Sequence, residues 1–483
     1  MVFSSLVFLC AFFPLQMLIY TFSKKIETKN TVLMIFSLVF YAWGEPSLII
    51  ILLFVAYFDW YMSQHIGKYR KTGTGKALLV LTMAVNIGLL GFFKYGTFIA
   101  KNLHSAIGIP EIIPQIMLPI GISFYTFQLM SYVVDVYRGE VPAQPYFRRL
   151  LLYVCLFHQC IAGPIVRYKD VSEQIMSRHV TSEDMRNGIN RFASGLAKKV
   201  LLANICGKIA SETLFGGLYD PSGAVYAKLE AAPALALWMG CIAYAFQIYL
   251  DFSAYSDMAI GMGLMVGFRY KENFDYPYLS DSITEFWRRW HMSLSSFFRD
   301  YVYIPLGGNR KGPARQVFNL LVVWFLTGMW HGAGWNFILW GLYYFLFLVI
   351  EKFFLGKRLK NLPRAVSHIY AMAVVFFGWI LFYFNDMSQI GIVLKGLFGL
   401  NGNGFTTFQT TAMFTSYLFF LIVALIACTP VPRKIYHKIT ESRNALVFAA
   451  GGIIEVVFPV ISVFMSISFL VSDAYNPFLY LQF

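Results

Sequence analysis

The sequence predicts an all-α, polytopic integral membrane protein with about 11–13 transmembrane or re-entrant helices. Three observations predict it. Of 483 residues, 58% are apolar and 13% are charged, whereas a soluble domain carries about 25% charged residues. Apolar runs approaching the roughly 20 residues of a span recur along the whole chain. The basic residues are distributed between successive loops in the way that fixes membrane orientation.

The expected spans are 2–22, 31–43, 46–62, 77–93, 112–135, 200–219, 232–250, 316–331, 334–350, 366–384, 411–428 and 447–470. Apolar stretches at 150–165 and 254–268 suit re-entrant or protein-buried segments. The opening MVFSSLVFLCAFFPLQMLIYTF has neither a positive n-region nor a small-x-small cleavage site. It reads as a retained first span. One membrane-embedded domain, 1–483, is expected. Its N-terminal helices occupy 1–135, a core 136–354 and C-terminal helices 355–483.

With the N-terminus outside and the spans alternating, nearly all of the 39 Lys and Arg residues fall inside. Lys94, Lys101, Lys228 and Lys395 fall outside, and Lys208 lies within a span. Both termini are therefore expected outside. This asymmetry accounts for the net charge of +14 and removes any need for a nucleic-acid partner. Membrane lipids are the expected surroundings. None of the six cysteines forms a CxxC pair, so neither a metal site nor a disulfide framework is expected. No internal repeat of the kind found in many transporters is visible.

The segment 269–315 is the longest assigned to the inside. Ser282 to Arg299 can form one amphipathic helix. Ser282 and Glu285 have capping-box spacing, and Ile283, Phe286, Trp287, Trp290, Leu294, Phe297 and Phe298 recur at helical spacing. Pro305, Gly307, Gly308 and Gly312 then form a turn. The run Trp287-Arg288-Arg289-Trp290-His291 sets cations and a titratable base beside aromatic planes. Arginine suits phosphate through its planar fork, so this is a candidate donor-binding region. His291 is either a structural histidine or a catalytic one.

Residues 316–350 contain one ionisable side chain, His331, followed by the break at Gly332 and Gly334. Sixteen residues of helix rise about 24 Å, and the hydrocarbon core is about 30 Å thick. His331 is therefore expected deep, toward the outer half of the membrane. An ionisable residue there is a functional candidate, with interhelical packing as the alternative. A buried imidazole stays neutral and can act as a general base.

Asp251 and Asp257 follow the run 232–250 and need partners, for which nearby arginines and histidines are candidates. They serve either an ion pair that fixes packing or an orienting role. His65, His104, His179, His368 and His437 read as surface residues. His158 lies in an apolar stretch before Gly163-Pro164 and is a candidate cavity residue.

EFWRRWHMSLSSFFRDYVYIPLGGNRKG together with MWHGAGWNFILWG resembles the membrane-bound O-acyltransferase superfamily, and most closely its bacterial alginate O-acetylation branch. LPIGISFYTFQLMSYVVDVYRG at 118–139, QCIAGPIVRY at 159–168 and DFSAYSDMAIGMG at 251–263 extend the resemblance over nearly the whole chain. It implies tilted helices around a central tunnel, with His331 and His291 catalytic. It places Trp287, Arg288, Arg289, Trp290, Asp251, Trp330, Asn336 and His158 along the donor route or tunnel.

The resemblance also implies acyl transfer from a cytoplasmic thioester, acetyl-CoA or another, used as substrate with no permanently bound cofactor. The acceptor route would lead to an extracytoplasmic polymer-modifying partner and an exported polysaccharide at a bacterial cell membrane. Alternatives are D-alanyl transfer to teichoic acid and, from a different class, a lipid or polymer transporter. The ending SDAYNPFLYLQF resembles the tail of small D-alanylation partners, which makes Tyr480 either an acyl carrier or an interfacial anchor.

Overall fold

The computed structural model describes residues 1–108, 116–160, 163–216, 223–472 and 479. Tyr480 lies outside them. The described residues are helical, with no strand among them. They form two compact units. The first comprises Met1–Phe192, Tyr255–Glu272 and Ser296–Val302; the second comprises Ala193–Ala254, Asn273–Ser295 and Tyr303–Phe483.

The first unit opens with α1 (Phe8–Phe22), α2 (Ile26–Gly44), α3 (Ile49–Lys68) and α4 (Gly73–Ile107). It continues through α5 (Ile122–Arg138), α6 (Phe147–Cys155), α7 (Phe157–Cys160), α8 (Tyr168–Met176) and most of α9 (Ser182–Ala197). Local sequence sets the ends. The Thr72 hydroxyl accepts from the Gly75 N–H at 3.2 Å to start α4. Gly139, at φ +77°, ends α5 in the left-handed region.

An aromatic cluster of Phe3, Phe8, Phe40 and Phe157 fills the interior of this unit, with Tyr255 stacked on Phe3 at 4.3 Å. Arg178 ties the polar groups together. It donates to the Tyr20 hydroxyl (3.1 Å), the Val266 carbonyl (2.9 Å) and the Asn30 amide oxygen (2.7 Å).

The second unit contains α10 (Asn204–Leu214), α11 (Ala224–Ala231) and the start of α12 (Ala234–Met265). It holds α13 (Ile283–Arg289) and the first half of α14 (Met292–Phe298). The hairpin of α15 (Gly312–His331) and α16 (Trp335–Ile350) follows, then α17 (Gly356–Asn361), α18 (Arg364–Tyr383) and α19 (Met387–Leu397). It closes with α20 (Phe408–Ala427), α21 (Val431–Thr440) and α22 (Ala445–Ser472).

Seven helices among the described residues are long and apolar enough to cross a membrane: α3, α4, α12, α16 with α17, α18, α20 and α22. Each coincides with an expected span. The expected spans at 2–22, 31–43, 112–135, 200–219 and 316–331 are helical over most of their described residues but shorter or more polar. The stretch at 254–268 takes the protein-buried alternative: it is largely the continuation of α12, which runs through Asp251 and Asp257 without a break. Its two carboxylates are paired, so no helix end is needed to solvate them. The stretch at 150–165 becomes the buried α6 and α7. The 11-residue α19 went unforeseen because it is too short for a span.

Glycines set the spacing of the α15–α16 hairpin. A Cβ on Gly341 would collide with the Trp324 carbonyl and lie 3.1 Å from the Gly328 Cα. Such close approach is how small residues pack helices in lipid. Gly341→Leu must separate the two helices and is expected to cost about 1–3 kcal/mol. A lower unfolding midpoint in detergent checks this; an unchanged midpoint would contradict the packing.

Candidate functional site

The segment Ser282–Arg299 is not the single helix that its periodicity suggests. Its start is as expected: the Ser282 hydroxyl accepts from the Glu285 N–H at 3.1 Å, and the Glu285 carboxylate accepts from the Asp281 N–H at 3.0 Å. The chain then breaks at Trp290–His291 into α13 and α14. His291 sits at φ +44°, a region that non-glycine residues seldom occupy, although His is among those enriched there.

Asn273, 18 residues upstream, holds this kink. Its carbonyl accepts from the Met292 N–H (2.9 Å), and its side-chain oxygen accepts from the Ser293 N–H (3.2 Å) and the Ser293 hydroxyl (2.8 Å). These bonds satisfy two backbone donors at the start of α14, where no intrahelical partner exists. Two residues away, the Asp275 N–H donates to the Arg289 carbonyl at 3.0 Å, so the backbones at 273–275 and 289–292 are pinned together.

The same amide sets the chemistry of His291. The Ser293 N–H can only donate, so the Asn273 atom facing it is the oxygen. His291 Nδ1 lies 3.1 Å from that oxygen. Nδ1 therefore carries the proton, and Nε2 carries the basic lone pair. Burial pushes the His291 imidazolium down to about 3, so the ring is neutral near pH 7.

α15 ends at His331, as the glycines after it suggested, and α16 begins at Trp335. His331 is buried. Its ring packs edge-on against Trp330 (4.9 Å), Trp340 (4.9 Å) and Phe382 (5.2 Å). Trp330 also packs against His291 at 5.6 Å. One indole thus touches both candidate imidazoles. Phe252 of α12 closes the other side of His291 at 4.7 Å.

The other candidates separate. Trp287 and Trp290 are buried, Trp287 against Trp324 (4.7 Å) and Tyr344 (4.8 Å), and Trp290 against Trp379 (4.8 Å). Arg288 is exposed, while Arg289 pairs with Glu285 at 2.8 Å. These four residues therefore do not make one surface, because the kink sends the tryptophans inward. Asn336 makes long contacts to the Phe382 carbonyl (3.5 Å) and the Asn385 side chain (3.4 Å).

Asp251 pairs with Lys199 at 2.7 Å, both buried, and accepts from the Leu479 N–H at 3.1 Å. The partner is thus a lysine, which its place among the surrounding basic loop residues concealed. Asp257 does take an arginine, Arg191, at 2.7 Å. His158 belongs to the first unit, where Nδ1 lies 3.4 Å from the Tyr270 hydroxyl; burial, then the Arg178 charge, push its imidazolium to about 3.

Glu351, the residue just past the 316–350 segment, was not among the candidates. It is buried and accepts from the Ile283 N–H (2.6 Å), the Thr284 N–H (2.8 Å) and the Thr284 hydroxyl (2.6 Å). A carboxylate at a helix start is favoured by the N-terminal dipole. It anchors the α13 end of the segment that carries His291. Nothing in a single sequence links Glu351 or Asn273 to that segment.

The arrangement sets two buried imidazoles, that of His291 neutral, in an aromatic, water-poor setting. It suits removal of a proton from a hydroxyl. Because folded His291 resists protonation, unfolded chains bind the extra proton as pH falls below the ordinary value of 6.5. Stability should therefore drop as pH falls from about 6.5 to about 3. His291→Gln should show a smaller drop in unfolding midpoint over that range; an equal drop would contradict the buried neutral ring.

A family model described as MBOAT, membrane-bound O-acyltransferase family, matches residues 141–393, which include both histidines. The chain is 34% identical to a probable alginate O-acetylase of Azotobacter vinelandii over all of both chains. It is 37% identical to a probable alginate O-acetylase of Pseudomonas aeruginosa, over 86% of this chain and 80% of that one. It is 31% identical to a peptidoglycan O-acetyltransferase of Helicobacter pylori, over 83% and 80% of the two chains. With its helices and its apolar spans, the chain belongs to the membrane-bound O-acyltransferase family and is a multi-pass membrane O-acyltransferase.

Proposed function

We propose that this protein takes an acetyl group from a thioester donor on the cytoplasmic side and passes it through the membrane for O-acetylation of an exported cell-surface polysaccharide. The observation that carries the chemistry is the contact of Trp330 with both His291 and His331 at the end of α15. Full-length similarity to proteins named as alginate O-acetylases supports the acetyl group and the polymer.

In this reading His331 accepts the proton of the acceptor hydroxyl as its oxygen attacks the thioester carbonyl. The C–O bond forms and the C–S bond breaks. The proton passes from the imidazolium to the departing thiolate, so the ring is regenerated. His291, its Nδ1 proton held by Asn273, faces the incoming thioester with Nε2. Trp330 and the indoles around it exclude the water that would hydrolyse the thioester. The donor is a substrate and no cofactor stays bound. Both termini lie outside a bacterial cell membrane, and an extracytoplasmic polymer-modifying protein receives the acetyl group.

The test is single turnover with radiolabelled acetyl-CoA and purified protein in liposomes. His331→Ala should reduce transfer by about 10²–10⁴-fold, the range expected for a positioned base. Wild-type transfer by that variant would sink the mechanism. Asn273→Leu removes the acceptor that fixes the His291 tautomer and should reduce kcat by at least about tenfold. Its pH–rate profile should also shift, because Nδ1 becomes titratable. Unchanged kcat and profile in a folded variant would assign Asn273 to structure alone.

A further inference from the structure

Asp275, Tyr276, Leu279 and Arg289 form one wall of a cavity of ≈ 490 Å³, and Pro430, Arg433, Lys434 and His437 form the other. Both walls belong to the second unit. Two segments 140 or so residues apart thus meet at one basic depression, and the distribution of Lys and Arg assigns both to the same side of the membrane. The volume falls in the range of small-molecule sites, about 300–1,000 Å³. Arg289 is paired with Glu285 and, at 3.4 Å, with Asp275. Arg433 and Lys434 form no ion pair among the described residues.

The cavity is tied to the candidate site by backbone. Asp275 and Arg289 lie in its wall; Asn273 and His291, each two residues further along the two pinned segments, lie in the site. Two residues of chain span at most about 7 Å. A ligand held here by its phosphates would have a thiol-bearing arm within reach of the kink.

We propose that this cavity binds the phosphate groups of the acyl donor, a coenzyme A thioester, with Arg433 and Lys434 as the phosphate contacts. The proposal rests on the donor reading given above. The chemistry recognised is a phosphate ester, which an anionic lipid headgroup also carries, so the test separates the two.

Binding of radiolabelled coenzyme A is measured with the full chain in nanodiscs of neutral phosphatidylcholine. Arg433→Glu combined with Lys434→Glu should weaken it at least about tenfold, and Arg433→Gln with Lys434→Gln should give a smaller loss in the same direction. Adenosine 3′,5′-bisphosphate should compete and pantetheine should not. Added salt should weaken wild-type binding more than that of the charge-reversed protein. Equal affinity in all three proteins, no binding by wild type, or competition by pantetheine alone would overturn the proposal. So would a variant that binds coenzyme A normally but loses retained anionic lipid, because the headgroup would then own the cavity.

Transfer from S-acetyl-N-acetylcysteamine, a thioester without phosphate, separates this failure from failure of the acyltransfer reading. Transfer from that compound with no coenzyme A binding removes the cavity alone. Binding that responds to the variants, with no thioester consumed, removes the acyltransfer reading alone.

Discussion

The side chain of Asn273 holds a histidine in a backbone conformation that the chain would otherwise avoid. A non-glycine residue in the left-handed region costs roughly 1–2 kcal/mol. Against that stand the bonds from Met292, Ser293 and His291 to Asn273, each contributing about 0.5–1.5 kcal/mol net. The bonds outweigh the strain, and they exist only in the kinked form. A straight helix would spend its backbone donors internally and leave the Asn273 oxygen buried without them. The kink and the tautomer of His291 are therefore one feature with one cause.

From that kink the rest of the second unit's interior follows. Ending α13 at Arg289 lets Trp287 and Trp290 both point inward, against Trp324, Tyr344 and Trp379. Glu351 clamps the other end of α13 and thereby joins it to the end of α16. The α15–α16 hairpin, closed by Gly328 and Gly341, then presents Trp330 to His291 and sets His331 against Trp340. Six of the ten tryptophans, at 287, 290, 324, 330, 340 and 379, belong to this one cluster. Such a concentration keeps water from both imidazoles.

What was legible in the sequence was whatever is set locally. Apolar run length marked the seven helices among the described residues that are long and apolar enough to cross a membrane. The Ser282–Glu285 spacing marked the start of α13, and Gly332 and Gly334 marked the end of α15 at His331. What was not legible depends on partners remote in the chain. No proline or glycine announces the break at His291, because the group that makes it is 18 residues away. Periodicity therefore read straight through it. Lys199 lay in a basic stretch whose residues look interchangeable, although it alone is known to be buried against Asp251. The expected span stopped at 250, just before Asp251 and Asp257, yet with partners supplied from elsewhere α12 passes through both.

Polarity also constrains how a donor can use this site. An isolated charge brought among indole rings loses its hydration and gains little in return. His291 illustrates the penalty, since burial alone holds its imidazolium far below the ordinary range. A thioester carbonyl and a hydroxyl are neutral and can enter such a place; a phosphate cannot follow them. The charged part of any phosphorylated donor must therefore stop where water and cations remain. Arg433 and Lys434 supply that setting on the wall facing Arg289, while the pinned backbones at 273–275 and 289–292 fix its distance from His291. The two backbone hydrogen bonds that pin 273–275 to 289–292 thus hold a basic, water-exposed cavity wall a fixed short stretch of chain away from two imidazoles buried among indoles.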